Sequence, residues 1–175
     1  MDELRARHRK AGRRLWSRDR AQETAERVAE DQLPTPEEMI AHSAGLAARH
    51  LQGWRQLIAG TGARITYVLS PVATWVRDEP AEQEALLFKE LDKLAALGVS
   101  LEELFGDGTK AATGRQYAEA LRAECEKQQV RFIDLSPELA KVTTAKDWLF
   151  VDRGHFTDHG HAVIAELLAD LLSLR

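Results

Sequence analysis

A single cysteine, Cys125, leaves the chain unable to form an internal disulfide, so its fold has to rest on packing alone. That cysteine falls inside a helical pattern and reads as a buried structural thiol rather than a reactive one. No apolar run approaches the roughly 20 residues that a membrane-spanning helix needs. The opening stretch, Met1 to Arg20, is charged and has no apolar core of a secretory leader. The chain therefore reads as cytoplasmic, unless an upstream leader has been lost. An excess of positive charge is missing too: 24 Lys and Arg stand against 28 Asp and Glu, a net charge of -4. That argues against a nucleic-acid binder, which carries a basic face. Internal repeats and low-complexity segments are also lacking. What remains is an ordinary balance of 44% hydrophobic and 30% charged residues over 175 positions, enough for one domain with its own core.

The pattern along the chain alternates. Residues 1–32 form a basic segment, expected to be a surface helix with a thin apolar stripe of Leu4, Leu15 and Trp16. Thr35-Pro36-Glu37-Glu38 has the form of a helix start. Met39, Ile40, Leu46, Ala47, Trp54, Leu57 and Ile58 then recur at helical spacing up to Gly60. Arg64 to Leu69 and Val130 to Leu135 are short, β-branched and apolar, as strands buried on both faces should be. Pro71 and Pro137 end them. Between them, Glu79 to Leu97 repeats Leu86, Leu87, Leu91 and Leu94, and Gly114 to Gln128 repeats Tyr117, Ala120, Leu121 and Ala123. Leu101 to Phe105 adds a turn before the Gly106–Gly108 loop. A last helix, capped by Thr157, follows a short apolar approach at Trp148 to Val151. This order predicts an α/β domain with a short parallel sheet over residues 33–175. Two strands are few for that length, and a parallel pair needs cover on its faces and edges.

Chemistry concentrates at Asp152-Arg153-Gly154-His155. A carboxylate three residues before an imidazole can fold onto one ring nitrogen. The other nitrogen is then free to take a proton from a nucleophile. Gly154 is expected to let the loop turn. The alternative chemistry is a metal module built from His155, His159 and His161. The glutamate of a His-Glu-x-x-His base is missing there, so His159 and His161 read as exposed first-turn residues and no metal is expected.

The string Phe150-Val-Asp-Arg-Gly-His155-Phe-Thr-Asp-His-Gly160, followed by an apolar helix, resembles the final block of the SGNH/GDSL serine ester hydrolases. Tyr67-Val-Leu-Ser-Pro71 with Glu82 and Glu84 beyond it resembles the fourth strand and its exit in some bacterial members, which often carry Gln where Ser70 stands. Tyr117 to Leu135 resembles the last helix and fifth strand. The likeness runs from about Thr35 to Leu172. It implies a flavodoxin-like three-layer α/β/α domain, acyl or O-acetyl ester substrates, no cofactor, and a catalytic pair in which Asp152 orients His155.

The family's other blocks have no positions to map onto. No Gly-Asp-Ser occurs; Gly106-Asp107 is followed by Gly108. The Gly-x-Asn-Asp block is absent because the chain has no asparagine, so the family's oxyanion donors are missing. Ser70 is the one serine at a strand end where α/β sites form. It lacks a glycine elbow, and Pro71 removes a backbone donor. The remaining serines read as helix, cap or turn residues. The resemblance therefore implies a truncated or split hydrolase that carries the base half only. The strand at Arg64–Leu69 is left with an open edge, where a second copy or a chain bearing the serine could pair. A non-catalytic, SGNH-derived interaction or dimerisation protein is the alternative.

Overall fold

A computed structural model describes residues 34–94 and 106–174. The basic helix expected at 1–32 and the turn at 101–105 lie outside the described residues. The chain divides into two units, Met1–Thr35 and Pro36–Arg175, and all the described elements belong to the second. In order they are α1 (Pro36–Ile58), β1 (Thr66–Leu69), α2 (Ala73–Val76), α3 (Glu82–Leu94), a 3₁₀ turn (Gly106–Thr109), α4 (Ala111–Lys127), β2 (Arg131–Asp134), α5 (Leu135–Val142) and α6 (Asp158–Leu171). This is a mixed α/β arrangement. Among the described residues no helix is long and apolar enough to cross a membrane.

β1 and β2 pair in parallel, with Thr66 opposite Arg131 and Leu69 opposite Asp134. Neither has another strand neighbour among the described residues. The expectation of strands buried on both faces fails: Leu69 and Ile133 are buried, but their neighbours are half-buried and Arg131 is exposed. Two strands simply cannot cover one another's outer edges. Tyr67 and Phe132 face each other across the pair, ring centroids 6.1 Å apart, and point with Leu69 toward Ala44 of α1 and Ala118 and Leu121 of α4.

The apolar stripe expected to be the core face of α1 is not its core face. Ala44, Ala48 and Leu51 are buried, while Met39, Leu46, Trp54 and Leu57 are exposed. The alanine face wins because small side chains let α1 and α4 approach closely. The same close approach occurs where α2 meets α4: a Cβ on Gly114 would lie 2.6 Å from the Trp75 indole. Cys125 is fully buried beside Leu51 and Val130. Burial pushes its thiol up, which fits the structural reading.

α5 replaces the turn expected after the second strand. Asp134 caps it, accepting the Ser136 N–H at 3.0 Å, and Pro137 sits in the first turn, where its missing N–H costs nothing. α3 runs from Glu82, three residues later than expected. Its buried positions are Glu84 and Phe88; of the expected leucine stripe, Leu87 and Leu91 are half-buried on the same face and Leu86 is exposed. Glu84 is completely buried. Its Oε2 accepts from Ala81 N–H at 2.9 Å and Arg77 Nη2 at 2.7 Å. Its Oε1 accepts from the N–H groups of Leu149 (2.8 Å) and Phe150 (3.0 Å). Arg77 also donates to the carbonyls of Thr144 and Asp147.

Removing one member of a buried ion pair strands the other. Glu84→Ala is therefore expected to lower the unfolding free energy by about 3–5 kcal/mol. Glu90→Gln, at an exposed pair with Lys93, is expected to change it by less than about 1 kcal/mol. Urea denaturation of both variants checks the contrast, and equal effects would contradict the role assigned to Glu84.

Candidate active-site loop

The two residues that Glu84 holds, Leu149 and Phe150, are both fully buried and lead directly into the loop. Phe150 forms an antiparallel bridge with Phe156, and their rings lie 4.5 Å apart. Val151 N–H donates to the His155 carbonyl at 2.9 Å and Thr157 N–H to the Leu149 carbonyl at 2.8 Å. Residues 151 to 155 are thus pinched into a tight loop with its base in the core.

Inside the loop the Asp152 carboxylate makes four contacts with three donor groups. Oδ1 accepts from the backbone N–H of Gly154 (2.7 Å) and of His155 (2.8 Å). The His155 Nδ1 lies 3.0 Å from Oδ1 and 2.8 Å from Oδ2. Partial burial pushes the Asp152 carboxyl up. It is outweighed by the hydrogen bonds from Gly154 and His155 and by the His155 charge, which together hold it below its ordinary value. The imidazole itself is mostly exposed. Its Nε2 has no hydrogen-bond partner among the described residues. The pair is therefore oriented, with its second nitrogen presented to solvent.

Two further contacts fix the loop's flank. Arg153 donates to Asp92 of α3 from both terminal nitrogens, at 3.0 and 2.9 Å, and its guanidinium lies 5.1 Å from the Phe88 ring centroid. The Arg153 carbonyl accepts from Ala73 N–H at 2.9 Å, tying the loop to the exit of β1. Ser70 lies three residues before Ala73 and is exposed. Its segment thus reaches the loop, but no hydrogen bond joins Ser70 to His155 among the described residues.

The three histidines do not converge. His155 is held by Asp152, and His159 Nε2 stands 3.9 Å from Asp147. His161 meets the Phe156 ring edge-on at 5.7 Å. No group of three His, Cys, Asp or Glu among the described residues could hold a metal ion. Asp147 is itself fixed by Thr144, whose N–H and hydroxyl donate at 2.6 and 2.8 Å and hold its carboxyl below the ordinary value. An open groove of about 680 Å³ beside the loop is lined by Trp148, Val151, Phe156, Thr157 and His159, among others.

The backbone freedom expected of Gly154 is not used, and the glycine that the structure requires is Gly160. Gly154 has no left-handed backbone angle, and a Cβ there would meet only Asp152 Oδ1 at 3.9 Å. Gly160, in the first turn of α6, donates its N–H to the Thr157 hydroxyl at 2.9 Å. A Cβ on it would sit 2.3 Å from the Leu149 carbonyl oxygen. The signal available in the sequence was a glycine at the third position of a helix, where it weakens propensity without need. Arg153 and Asp92 gave no such signal, because their pairing spans 61 positions.

No protein-family model matches the chain, and no curated protein is similar to it at a significant level.

Two outcomes are expected. Gly160→Ala should cost about 1–3 kcal/mol through overpacking against backbone, and Gly154→Ala should leave stability nearly unchanged; thermal unfolding separates them. Because the Asp152 carboxyl is held below its unfolded value, its contribution to stability is present above about pH 4. It is lost as the pH falls through the lower folded value. The Tm gap between the protein and Asp152→Asn should then be widest near pH 6 and close toward pH 2.

Proposed function

We propose that this chain supplies the base half of a serine ester hydrolase, with Asp152 as the orienting carboxylate and His155 as general base and then general acid. The observation that carries the reading is the loop geometry. Nδ1 of His155 is bound by Asp152 through two short contacts, and Nε2 is left free at the surface. Such a pair raises the nucleophilicity of a hydroxyl that reaches Nε2. The likeness of Phe150 to Gly160 to the final SGNH/GDSL block supports the same reading. On it, the domain is the C-terminal part of a flavodoxin-like SGNH fold.

Among the described residues no hydroxyl is hydrogen-bonded to His155, and the Gly-Asp-Ser and Gly-x-Asn-Asp blocks of the family are absent from the sequence. The nucleophile and the Gly and Asn donors are to come from protein outside these 175 residues. Acyl or O-acetyl esters are the substrate class, with the groove beside Trp148 and Phe156 as the surface on which the acyl or alcohol part rests. An alternative reading, a non-catalytic interaction protein of the same ancestry, draws on the exposed α1 stripe and on the β1 edge that carries no second strand among the described residues.

Hydrolysis of p-nitrophenyl acetate tests the proposal. The chain alone is expected to react at a background rate that His155→Ala and Asp152→Ala change by less than about 2-fold, since no preorganised donors are present. Mixed with a polypeptide carrying a Gly-Asp-Ser segment as partner, it should gain about 100-fold or more, and His155→Ala should abolish the gain. A fast reaction of the chain alone that Ser70→Ala removes would overturn the split assignment. A partner-dependent gain that survives His155→Ala would overturn the role of His155.

A further inference from the structure

The free edge of β1 and the exposed stripe of α1 form one groove, and its lining tells what fits it. The groove encloses about 740 Å³ and touches five consecutive residues, Arg64 through Val68. Thr66, Tyr67 and Val68 are consecutive β1 residues that point to alternating faces, so a surface that meets all three meets the strand along its edge. β2 contributes nothing to it. Across the gap stand Leu46, His50 and Trp54 of α1. With Met39 and Leu57, these large apolar side chains recur along a single side of the helix and are exposed. An unpaired edge below and an apolar helix face above are the two surfaces that an added strand needs: hydrogen-bonding groups for its backbone and a cover for alternate side chains.

The charge of the lining decides the occupant. Arg64 and His50 line the groove, and among the described residues no carboxylate does. Ile65, Tyr67 and Leu69 point toward the α1 layer, and Arg64, two residues before β1, is exposed at the entry of the strand. A second copy would bring its own Arg64 and no carboxylate from the Arg64–Leu69 segment, which opposes self-pairing. We propose that the groove takes an extended segment of a different protein in which apolar residues alternate with acidic ones. The apolar side chains lie under Trp54 and Leu46, and the carboxylates lie on the Arg64 side. This surface does not depend on the ester-hydrolase reading, and its test reads binding alone.

The probe is a fluorescein-labelled peptide of alternating valine and glutamate, followed by anisotropy with the full chain. Saturable binding is expected, at least about 10-fold weaker for the valine–lysine counterpart, as opposite charges at a docking edge discriminate between partners. Arg64→Glu should reverse that preference, and Trp54→Ala should weaken both peptides about 10-fold. The reversal keeps the test informative if Trp54→Ala disturbs folding. Bound peptide should slow hydrogen exchange at the β1 amides. Three results would overturn the proposal: no preference between the two peptides, a dimer in sedimentation that Trp54→Ala dissociates, or β1 edge amides already protected in the free chain.

Discussion

The buried Glu84 carboxylate is the contact on which the rest of the domain depends. It stands at the third position of α3 and satisfies the N–H of Ala81 before that helix, the capping use of a glutamate there. The same group reaches Leu149 and Phe150, 65 and 66 positions away. A charge in a core has to be paired and fully hydrogen-bonded. Arg77 provides the pairing, and its other donors fasten the Thr144 and Asp147 carbonyls. One carboxylate thereby joins the exit of β1, the start of α3 and the strand-like approach to Asp152. The loop's other ties, Arg153 to Asp92 and Arg153 O to Ala73 N–H, end on the same two elements, α3 and the β1 exit.

That arrangement accounts for what the sequence could and could not say. Parallel pairing of the two apolar segments and the Asp152–His155 contact were legible, because each is written in local spacing. The Thr157 cap was legible for the same reason: its hydroxyl accepts Gly160 N–H. α5 was missed because Pro137 was read as a strand stop, when a proline in a first turn is equally a helix start. The centre of the buried face of α3 was missed because it is a glutamate. Hydrophobic periodicity assigns a charged residue to solvent, and only the long-range partners of Glu84 make it a core residue. The catalytic role proposed for the pair lies beyond any of these signals, since it concerns a hydroxyl that the described residues do not bring to His155.

The exposed apolar surface follows a pattern as well. α1 buries alanines and shows solvent its larger residues. α6 has only Gly160 fully buried, while Val163, Ile164 and Leu167 lean on the core around Phe150. Contiguous exposed apolar surface of the α1 kind invites association. On α1 it borders the side of β1 that carries no second strand among the described residues.

The base-bearing loop, by contrast, needs nothing from that side. Its backbone contacts, its carboxylate and its arginine clamp are all met from within residues 72 to 157. An imidazole fixed in advance avoids an ordering cost when a partner hydroxyl arrives, which is the form of preorganisation that catalysis rewards. If the loop had depended on the missing neighbour for its shape, Asp152 would have had donors to gain on assembly. Its oxygens already accept from two backbone N–H groups and an imidazole. The loop is thus already formed where the proposed proton transfer takes place, so a hydroxyl supplied as proposed would meet a finished loop rather than induce its shape.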